Sequence, residues 1–354
     1  MKLNKLDYRL IKTPLFLALI VLAIHLVGNA HYGFFRDELY FIICGFRPAW
    51  GYVDQPSLTP LLAASTQYFG ESLFLLRALA AVFAACSVYV TCLLATELGG
   101  GFFAQMLAAV VAFFCPVLMS FGTKVSPDMF GLVLWPLSGL CILRILNGAH
   151  PKTWLLVGIL FGISFNAKYS VVFFAIAIIL GLIVTKQRRI LLTRWAFFGA
   201  VLCVLISLPN ILWQWHYGFP MLEVLRAGQN GKNIILSPIQ FISSQLLITN
   251  PALAICWIVG LIWLLYRSSV RFIAIAYIVI IAEMLLLHGK HYYAANFYPI
   301  LIAAGGVAIE SWTKKNPIKN FRPLIVFYGI VFGIILVPYV MPILPVNTFM
   351  RYNT

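Results

Sequence analysis

Two acidic segments near the N-terminus contain residue types suited to catalysis. The first reads RDELYF and places Asp37 and Glu38 directly after Arg36, and the second reads GYVDQPSLTPLL and contains Asp54. Carboxylates close to hydrocarbon are costly unless they are paired or used. Pro56 fixes a turn that can bring the second segment back towards the first. We therefore predict that Asp37, Glu38 and Asp54 are catalytic. The alternative is that the adjacent acids cap an interfacial helix and are neutralised by the neighbouring arginine.

A later segment, HGKHYYAANFYP, holds candidate ligands for a phosphate. It places Lys290 beside Tyr292 and Tyr293, and an ammonium group with two phenol hydroxyls can bind a phosphate at headgroup depth. Tyr and Lys are also typical of membrane interfaces, so the segment could serve only as an anchor. His288 and His291 are three positions apart, and such a lone pair is weak evidence for a metal site.

Three more cations belong to other polar segments. Lys124 lies four residues before Asp128 in GTKVSPDMF, where Pro127 suits the first turn of a helix. Lys168 lies in NAKYS and Arg226 lies in EVLRAGQNGKN. We predict that Lys124, Lys168 and Arg226 also bind phosphate, the alternatives being snorkelling or simple loop charges. Asp128 either contacts an acceptor or caps its helix.

The composition decides which elements position these residues. Of 354 residues, 62% are hydrophobic and 10% charged, against about 25% charged in soluble domains. Apolar runs long enough to cross a bilayer recur along the chain, which predicts an all-α, polytopic membrane bundle. The seven cysteines show no CxxC spacing and read as small core residues. The net charge of +15 resides mostly in loops, so nucleic-acid binding is not expected.

We predict about 11 transmembrane helices, with the first run retained as an uncleaved anchor. An amphipathic stretch near 238–249 precedes the eighth. The predicted spans are 13–30, 73–96, 102–120, 127–146, 153–166, 170–185, 195–213, 251–266, 271–288, 295–312 and 323–343.

Charge asymmetry predicts the orientation. With the N-terminus in the cytoplasm, the basic loops KQRRILLTR, YRSSVR and KKNPIKNFR fall on the same side, as the positive-inside rule requires. Most acids, including the candidate catalytic ones, then face outwards. The outer segments, about 31–72 and 214–250, are expected to form interfacial helices over one transmembrane domain covering 1–354. The predicted location is the plasma (inner) membrane, with an extracytoplasmic active site.

The motifs resemble those of the polyprenyl-phosphate-sugar-dependent glycosyltransferases of the GT-C superfamily, family 39. This family includes protein O-mannosyltransferases and the lipid A aminoarabinose transferase. The resemblance rests on RDELYF with GYVDQPSLTPLL, then KVSPDMF, LPNILWQWHYGFP and GKHYYAANFYPILIAAGG, in that order. Two departures stand out. Gln55, Pro56 and Ser57 replace a basic residue and paired prolines of the aminoarabinose branch. The soluble C-terminal domain that many relatives carry is not expected here after the eleventh predicted span.

The resemblance implies transfer of a sugar from a lipid phosphate to an acceptor glycolipid, glycan or protein, usually with inversion. It assigns the catalytic carboxylate to Asp37 and the acid of the proline turn to Asp54. Because the superfamily contains metal-dependent and metal-independent members, these two acids are also candidate ligands of a divalent cation, Mg²⁺ or Mn²⁺. The resemblance assigns donor-phosphate binding to Lys290, Tyr292 or Tyr293, with Arg226 as a further candidate.

The residue chemistry agrees with this reaction. One carboxylate can take the proton of the acceptor, while cations and hydroxyls stabilise the departing phosphate. A lipid-linked-sugar flippase or other transporter is the main alternative. It would require polar residues reaching the cytoplasmic half of the spans, and that half is nearly uncharged. A noncatalytic scaffold is the second alternative.

Overall fold

The computed structural model describes residues 8–68, 70–228, 236–314 and 317–352, and within these ranges the chain is helical and has no β-strand. The predicted all-α fold is confirmed. The α-helices are α1 (Tyr8–Gly28), α2 (Arg36–Gly45), α3 (Leu58–Gln67), α4 (Leu73–Glu97), α5 (Phe102–Phe113), α6 (Pro116–Phe121), α7 (Pro127–Leu146), α8 (Thr153–Ala167), α9 (Val171–Ile183), α10 (Arg194–His216), α11 (Pro220–Ala227), α12 (Pro238–Ile248), α13 (Pro251–Tyr266), α14 (Arg271–Leu286), α15 (Tyr298–Thr313), α16 (Arg322–Ile334), α17 (Val337–Val340) and α18 (Val346–Tyr352). Three 3₁₀ helices cover Lys186–Leu192, His291–Phe297 and Pro317–Phe321.

Each predicted span coincides with one helix or with a helix in two pieces. The third predicted span is divided into α5 and α6 because Pro116, which lacks an amide hydrogen, begins the second piece. The last is divided into α16 and α17. The expected helices of the first outer segment are α2 and α3, and those of the second are α11 and α12. Residues 229–235 of that second segment lie outside the described residues.

By length and composition, four continuous segments of the described chain could each cross a membrane: α4, α7, α10 and His291–Thr313. Two bent pairs would raise the number to six. These are α9 with the 3₁₀ helix Lys186–Leu192, bent by 117°, and α12 with α13, bent by 109°. Shorter apolar helices make up the other predicted spans, so the number of crossings stays a prediction.

The bundle has two chemically different ends. Helices α4 and α7 both start at the end where Glu38 and Asp128 lie, and α4 extends about 37 Å from it. At their far ends Arg144 lies 3.5 Å from Glu97. The acids and cations of the predicted outer segments gather at the first end, which we call the acidic end. The far end, called the basic end, carries most of the loop Lys and Arg residues.

Helices α8 and α10 cross at a contact between two glycines. A Cβ atom at Gly158 would collide with the backbone carbonyl of Gly199, so only glycine permits this approach. Small residues at helix crossings are how membrane bundles bring backbones together without a hydrophobic driving force between helices. The crossing fixes α8, whose last residue precedes Lys168, against α10.

Candidate active site

A cavity of about 610 Å³ opens at the acidic end, a volume typical of small-molecule sites. Its walls come from the start of α2, from α6 and the segment before α7, from the 3₁₀ helix His291–Phe297 and from α17. The polar and aromatic residues lining it are Phe35, Asp37, Ser120, Phe121, Thr123, Lys124, Ser126, Asp128, His291, Tyr292 and Tyr339. Four residues predicted from three separate segments therefore share one cavity: Asp37, Lys124, Asp128 and Tyr292.

Asp37 occupies the first turn of α2, where the helix dipole favours a negative charge. Its carboxylate Oδ1 lies 3.0 Å from Nε of Arg36, whose side chain is 87% exposed. A pair this open to solvent holds its partners weakly. The carboxylate of Asp37 therefore remains available to a hydroxyl group in the cavity.

Glu38, its neighbour in the chain, has a different environment. Its carboxylate is fully buried and accepts hydrogen bonds from Arg77 Nε at 3.0 Å and from Arg77 Nη2 at 2.9 Å. It also accepts from the backbone amides of Phe35 at 2.8 Å and of Val125 at 3.1 Å. Successive helical residues point about 100° apart, so one acid faces the cavity and the other the core. The geometry favours a positioning role for Glu38 over contact with an acceptor.

Arg77 completes this buried hub from the first turns of α4. Its Nη1 donates to the carbonyls of Asn29 at 3.3 Å and His31 at 2.8 Å, and its Nη2 donates to the carbonyl of Gly33 at 2.7 Å. Together with the two bonds to Glu38, these use all the guanidinium donors. The Arg77–Glu38 hub thus joins α4, the chain before α2, and the segment that carries Lys124.

Lys168 and Asp128 form an ion pair beside the cavity. Lys168 Nζ lies 2.5 Å from Asp128 Oδ1, and both side chains are mostly buried. The same ammonium group lies 4.6 Å from the ring centre of Tyr293 and 5.7 Å from that of Tyr292. Two predicted phosphate ligands, Lys168 and Tyr293, are thereby brought to the cavity wall although neither is among its lining residues.

The other predicted cations differ in position. Lys124 lines the cavity and its Nζ lies 4.6 Å from the ring centre of Phe35. Lys290 Nζ lies 5.9 Å from the ring centre of Tyr292, which places it near the same wall. Arg226 is exposed on α11 and is not among the residues lining the cavity. The structure thus brings together all the predicted phosphate ligands except Arg226.

Asp54 lies next to this site but does not line the cavity. Its Oδ1 accepts a hydrogen bond of 2.7 Å from the hydroxyl of Tyr40, one helical turn after Asp37 on α2. Desolvation, together with the hydrogen bond to Asp54, raises the pKa of Tyr40 well above its usual value. Tyr40 therefore remains a hydrogen-bond donor to this carboxylate.

Two amides on α10 anchor the loop that carries Asp54. Asn210 Nδ2 donates to the carbonyl of Trp50 at 2.7 Å, and Gln214 Nε2 donates to the carbonyl of Tyr52 at 3.3 Å. Tyr169 joins them, donating to Asn210 Oδ1 at 3.0 Å. These hydrogen bonds give a structural role to the two amides of the LPNILWQWHYGFP motif, Asn210 and Gln214, which are four residues apart and share one helix face.

Several residues of this region were not predicted as site residues: Tyr40, Arg77, Tyr169, Asn210, Gln214 and Tyr339. A lone arginine and two amides within apolar helices were the available signals, because polar groups in hydrocarbon need partners. His291 lines the cavity, whereas its predicted partner His288 does not. Among the described residues no cluster of three or more His, Cys, Asp or Glu side chains could hold a metal.

Comparison with known proteins supplies evidence about the fold that is independent of the site geometry. Residues 54–213 match the model of a family described as dolichyl-phosphate-mannose-protein mannosyltransferase. Two structures of ArnT from Cupriavidus metallidurans share the fold. The one bound to undecaprenyl phosphate has a TM-score of 0.67 and 14% identity, covering 97% of this chain and 67% of that one. The apo structure has a TM-score of 0.65 and 16% identity, covering 96% and 66%. No curated protein gives a significant match.

Proposed function

We propose that this multi-pass chain, which shares the fold of ArnT and matches a mannosyltransferase family model over residues 54–213, transfers a sugar from a polyprenyl-phosphate donor to an acceptor glycolipid, glycan or protein, as its resemblance to the GT-C glycosyltransferases implies. The reaction would proceed with inversion at the extracytoplasmic face of the plasma membrane. The observation that carries the proposal is the single cavity shared by Asp37, Lys124, Asp128 and Tyr292. It combines the solvent-accessible carboxylate of Asp37 with a cation, Lys124, and a phenol, Tyr292, the groups that such a transfer needs.

In the proposed mechanism Asp37 is the general base. It would take the proton of the acceptor as the acceptor oxygen attacks the anomeric carbon of the donor sugar. Asp37 lines the cavity, whereas Glu38 is wholly buried and bonded, so only the first of the adjacent acids can meet an acceptor without unfolding the hub. Glu38 would position Asp37, and Asp54 with Tyr40 would support the neighbouring loop.

The departing phosphate would be stabilised by the cations and phenols in and beside the same cavity. Lys124 and Lys168 supply positive charge, and Tyr292 and Tyr293 supply hydroxyl donors, with Lys290 near the same wall. Charge-assisted hydrogen bonds of this kind strengthen as charge grows on the leaving group. A lipid phosphate is already a good leaving group, so no second carboxyl group is needed to protonate it, unlike in glycosidases.

A divalent cation would have only a small protein ligand set. Asp37 and Asp54 were the predicted ligands, but Asp54 bonds Tyr40 and is not among the cavity residues. Mg²⁺ commonly binds through one or two carboxylates together with substrate phosphates and water. Mg²⁺ or Mn²⁺ held by Asp37 would therefore need the donor phosphate, and its chemistry would be neutralisation of that phosphate. Transfer measured with and without EDTA tests this.

The central test replaces Asp37 by Asn in cells from which the native chain has been removed. We expect product formation to fall on the order of 10²-fold to 10⁴-fold, the usual contribution of a general base. Mass spectrometry of envelope glycolipids, glycans and proteins would name the product and measure its loss. Glu71→Gln is the matched control because Glu71 is an exposed acid before α4 and lies outside the cavity. Normal product with Asp37→Asn at wild-type abundance would rule out the base role.

A further inference from the structure

A second cavity, of about 470 Å³, lies towards the basic end between α7, α8, α9 and α10. Its lining is almost entirely apolar and includes Ile142, Trp154, Phe161, Ile178, Leu182 and Cys203. From Trp154 to Phe161 it follows α8 for seven residues, or about 10 Å. A slot of this length and polarity suits part of a fatty acyl chain.

One wall of the cavity carries a polar group that has no partner. The indole N–H of Trp154 makes no hydrogen bond to any described residue. Trp154 is buried, with only 8% of the residue exposed, so water does not readily replace the missing partner. A buried donor left unsatisfied is costly, and tryptophan in membrane proteins usually bonds at the boundary between apolar and polar layers. The indole nitrogen is shielded from solvent, so the indole ring would have to turn towards the cavity for an ester carbonyl of a bound lipid to accept from it.

Cations surround the same end of the cavity. Lys152 Nζ lies 5.4 Å from the ring centre of Trp195, and the guanidinium carbon of Arg194 lies 5.1 Å from it. Both charges thus meet at one ring, next to the cavity residue Ala196. Arg188 and Arg189 are exposed on the 3₁₀ helix whose Leu191 also lines the cavity. Within the described part of the chain, no acidic side chain forms an ion pair with any of these four cations.

We propose that this cavity binds a membrane phospholipid with an anionic headgroup. One acyl chain would lie between α8, α9 and α10, an ester carbonyl would accept from Trp154, and the headgroup phosphate would lie among Lys152, Arg188, Arg189 and Arg194. Basic residues at the mouth of an apolar cleft between membrane helices are the recognised chemistry of such sites. Along α8 the cavity ends at Phe161, seven residues or about 10 Å before Lys168 beside the acidic-end cavity, and the proposal does not depend on the proposed transferase activity.

The test uses the whole protein in nanodiscs containing equal amounts of phosphatidylglycerol and phosphatidylcholine. Native mass spectrometry after release into detergent counts the retained lipids. We expect phosphatidylglycerol to be retained preferentially. The Arg188→Gln/Arg189→Gln double variant should weaken retention on the order of 10-fold or more, since each charge near the surface contributes about fivefold. Arg267→Gln/Lys314→Gln is the control, because it removes two exposed charges of the basic end that do not adjoin the cavity.

Two variants separate the cavity from simple surface attraction. Trp154→Phe keeps one aromatic ring and removes the N–H donor together with the five-membered ring of the indole, and should weaken phosphatidylglycerol retention several-fold. Cys203→Trp fills the cavity while all the cations remain, and should abolish the preference. Both are compared at equal helical content by circular dichroism.

Four results would overturn the proposal. The first is equal retention of phosphatidylcholine, which would mean an ordinary lipid annulus. The second is an equal loss in the Arg267→Gln/Lys314→Gln control, and the third is unchanged retention in Trp154→Phe. The fourth is displacement of phosphatidylglycerol by undecaprenyl phosphate that depends on Arg188 and Arg189, because the cavity would then bind a polyprenyl carrier.

Discussion

Replacing Arg77 by Met tests whether the buried hub holds the site together. The substitution leaves the Glu38 carboxylate, which is 0% exposed, without a counter-charge. Breaking a buried ion pair from one side costs about 3–5 kcal/mol. Arg144→Met is the control because that pair is longer, at 3.5 Å, and its arginine is 48% exposed. Its loss should cost at most about 1 kcal/mol.

The Arg77→Met/Glu38→Met double variant makes the test sharper. Buried ion pairs can often be replaced by apolar residues without loss. Here we expect no such rescue, because the pair also serves the carbonyls of Asn29, His31 and Gly33 and the amides of two further residues. Five backbone groups at about 1 kcal/mol each amount to a loss of about 5 kcal/mol.

The free energies can be measured by reversible unfolding in mixed micelles of mild detergent and SDS, followed by far-UV circular dichroism. Thermal unfolding followed by tryptophan fluorescence gives the same ranking if unfolding is irreversible. The reasoning fails if Arg77→Met costs no more than Arg144→Met. It also fails if the double variant is as stable as the wild type, since the hub would then be a charge pair without a role in fixing the loops.

Three further predictions concern the groups around the cavity. Gly131→Ala places a methyl group against the side-chain amide of Asn296, so this buried side chain or the 3₁₀ helix that carries it and Tyr292 must shift. We expect a cost of about 1–3 kcal/mol in unfolding free energy and a larger relative loss of transfer. Gly28→Ala is the control, because a methyl group there meets only ordinary van der Waals contacts. Asn210→Leu removes the bond to the loop 46–57, and limited proteolysis should cut that loop faster than in the wild type. Lys168→Met should weaken binding of undecaprenyl phosphate by about 10-fold or more, measured by competition with a labelled lipid phosphate, because one charge-assisted hydrogen bond contributes about 1.5–3 kcal/mol; unchanged affinity would remove this residue from the phosphate site.

The helices could be predicted from sequence because bilayer thickness imposes a minimum apolar length. The clustering of the predicted residues followed from orientation alone, since segments assigned to one membrane face must lie at one end of the bundle. The break before Pro116 was missed because hydropathy averages over it, although proline marks it locally.

The different environments of Asp37, in the cavity, and Glu38, in the core, could not be predicted from the sequence. Two adjacent acids look equivalent until the helix register assigns one to the cavity and one to the core. Arg77 lies inside a predicted span and was not predicted as a site residue. A single guanidinium in such a helix nevertheless requires a buried anion, which here is Glu38. The pairing of that anion with Val125, far along the chain, depends on tertiary packing that no local pattern encodes.

The ion pair between Lys168 and Asp128 gives the cavity a resident anion. An arriving lipid phosphate would therefore exchange with a carboxylate already held by the lysine, in place of entering an unneutralised cationic patch. Because the Asp128 carboxylate stays beside Lys168, the arriving phosphate meets a lysine whose charge is already neutralised, and its long-range attraction is weaker than at an unpaired cation. Added salt should accordingly compete only weakly with donor loading, and discrimination would rest on hydrogen-bond geometry more than on long-range attraction.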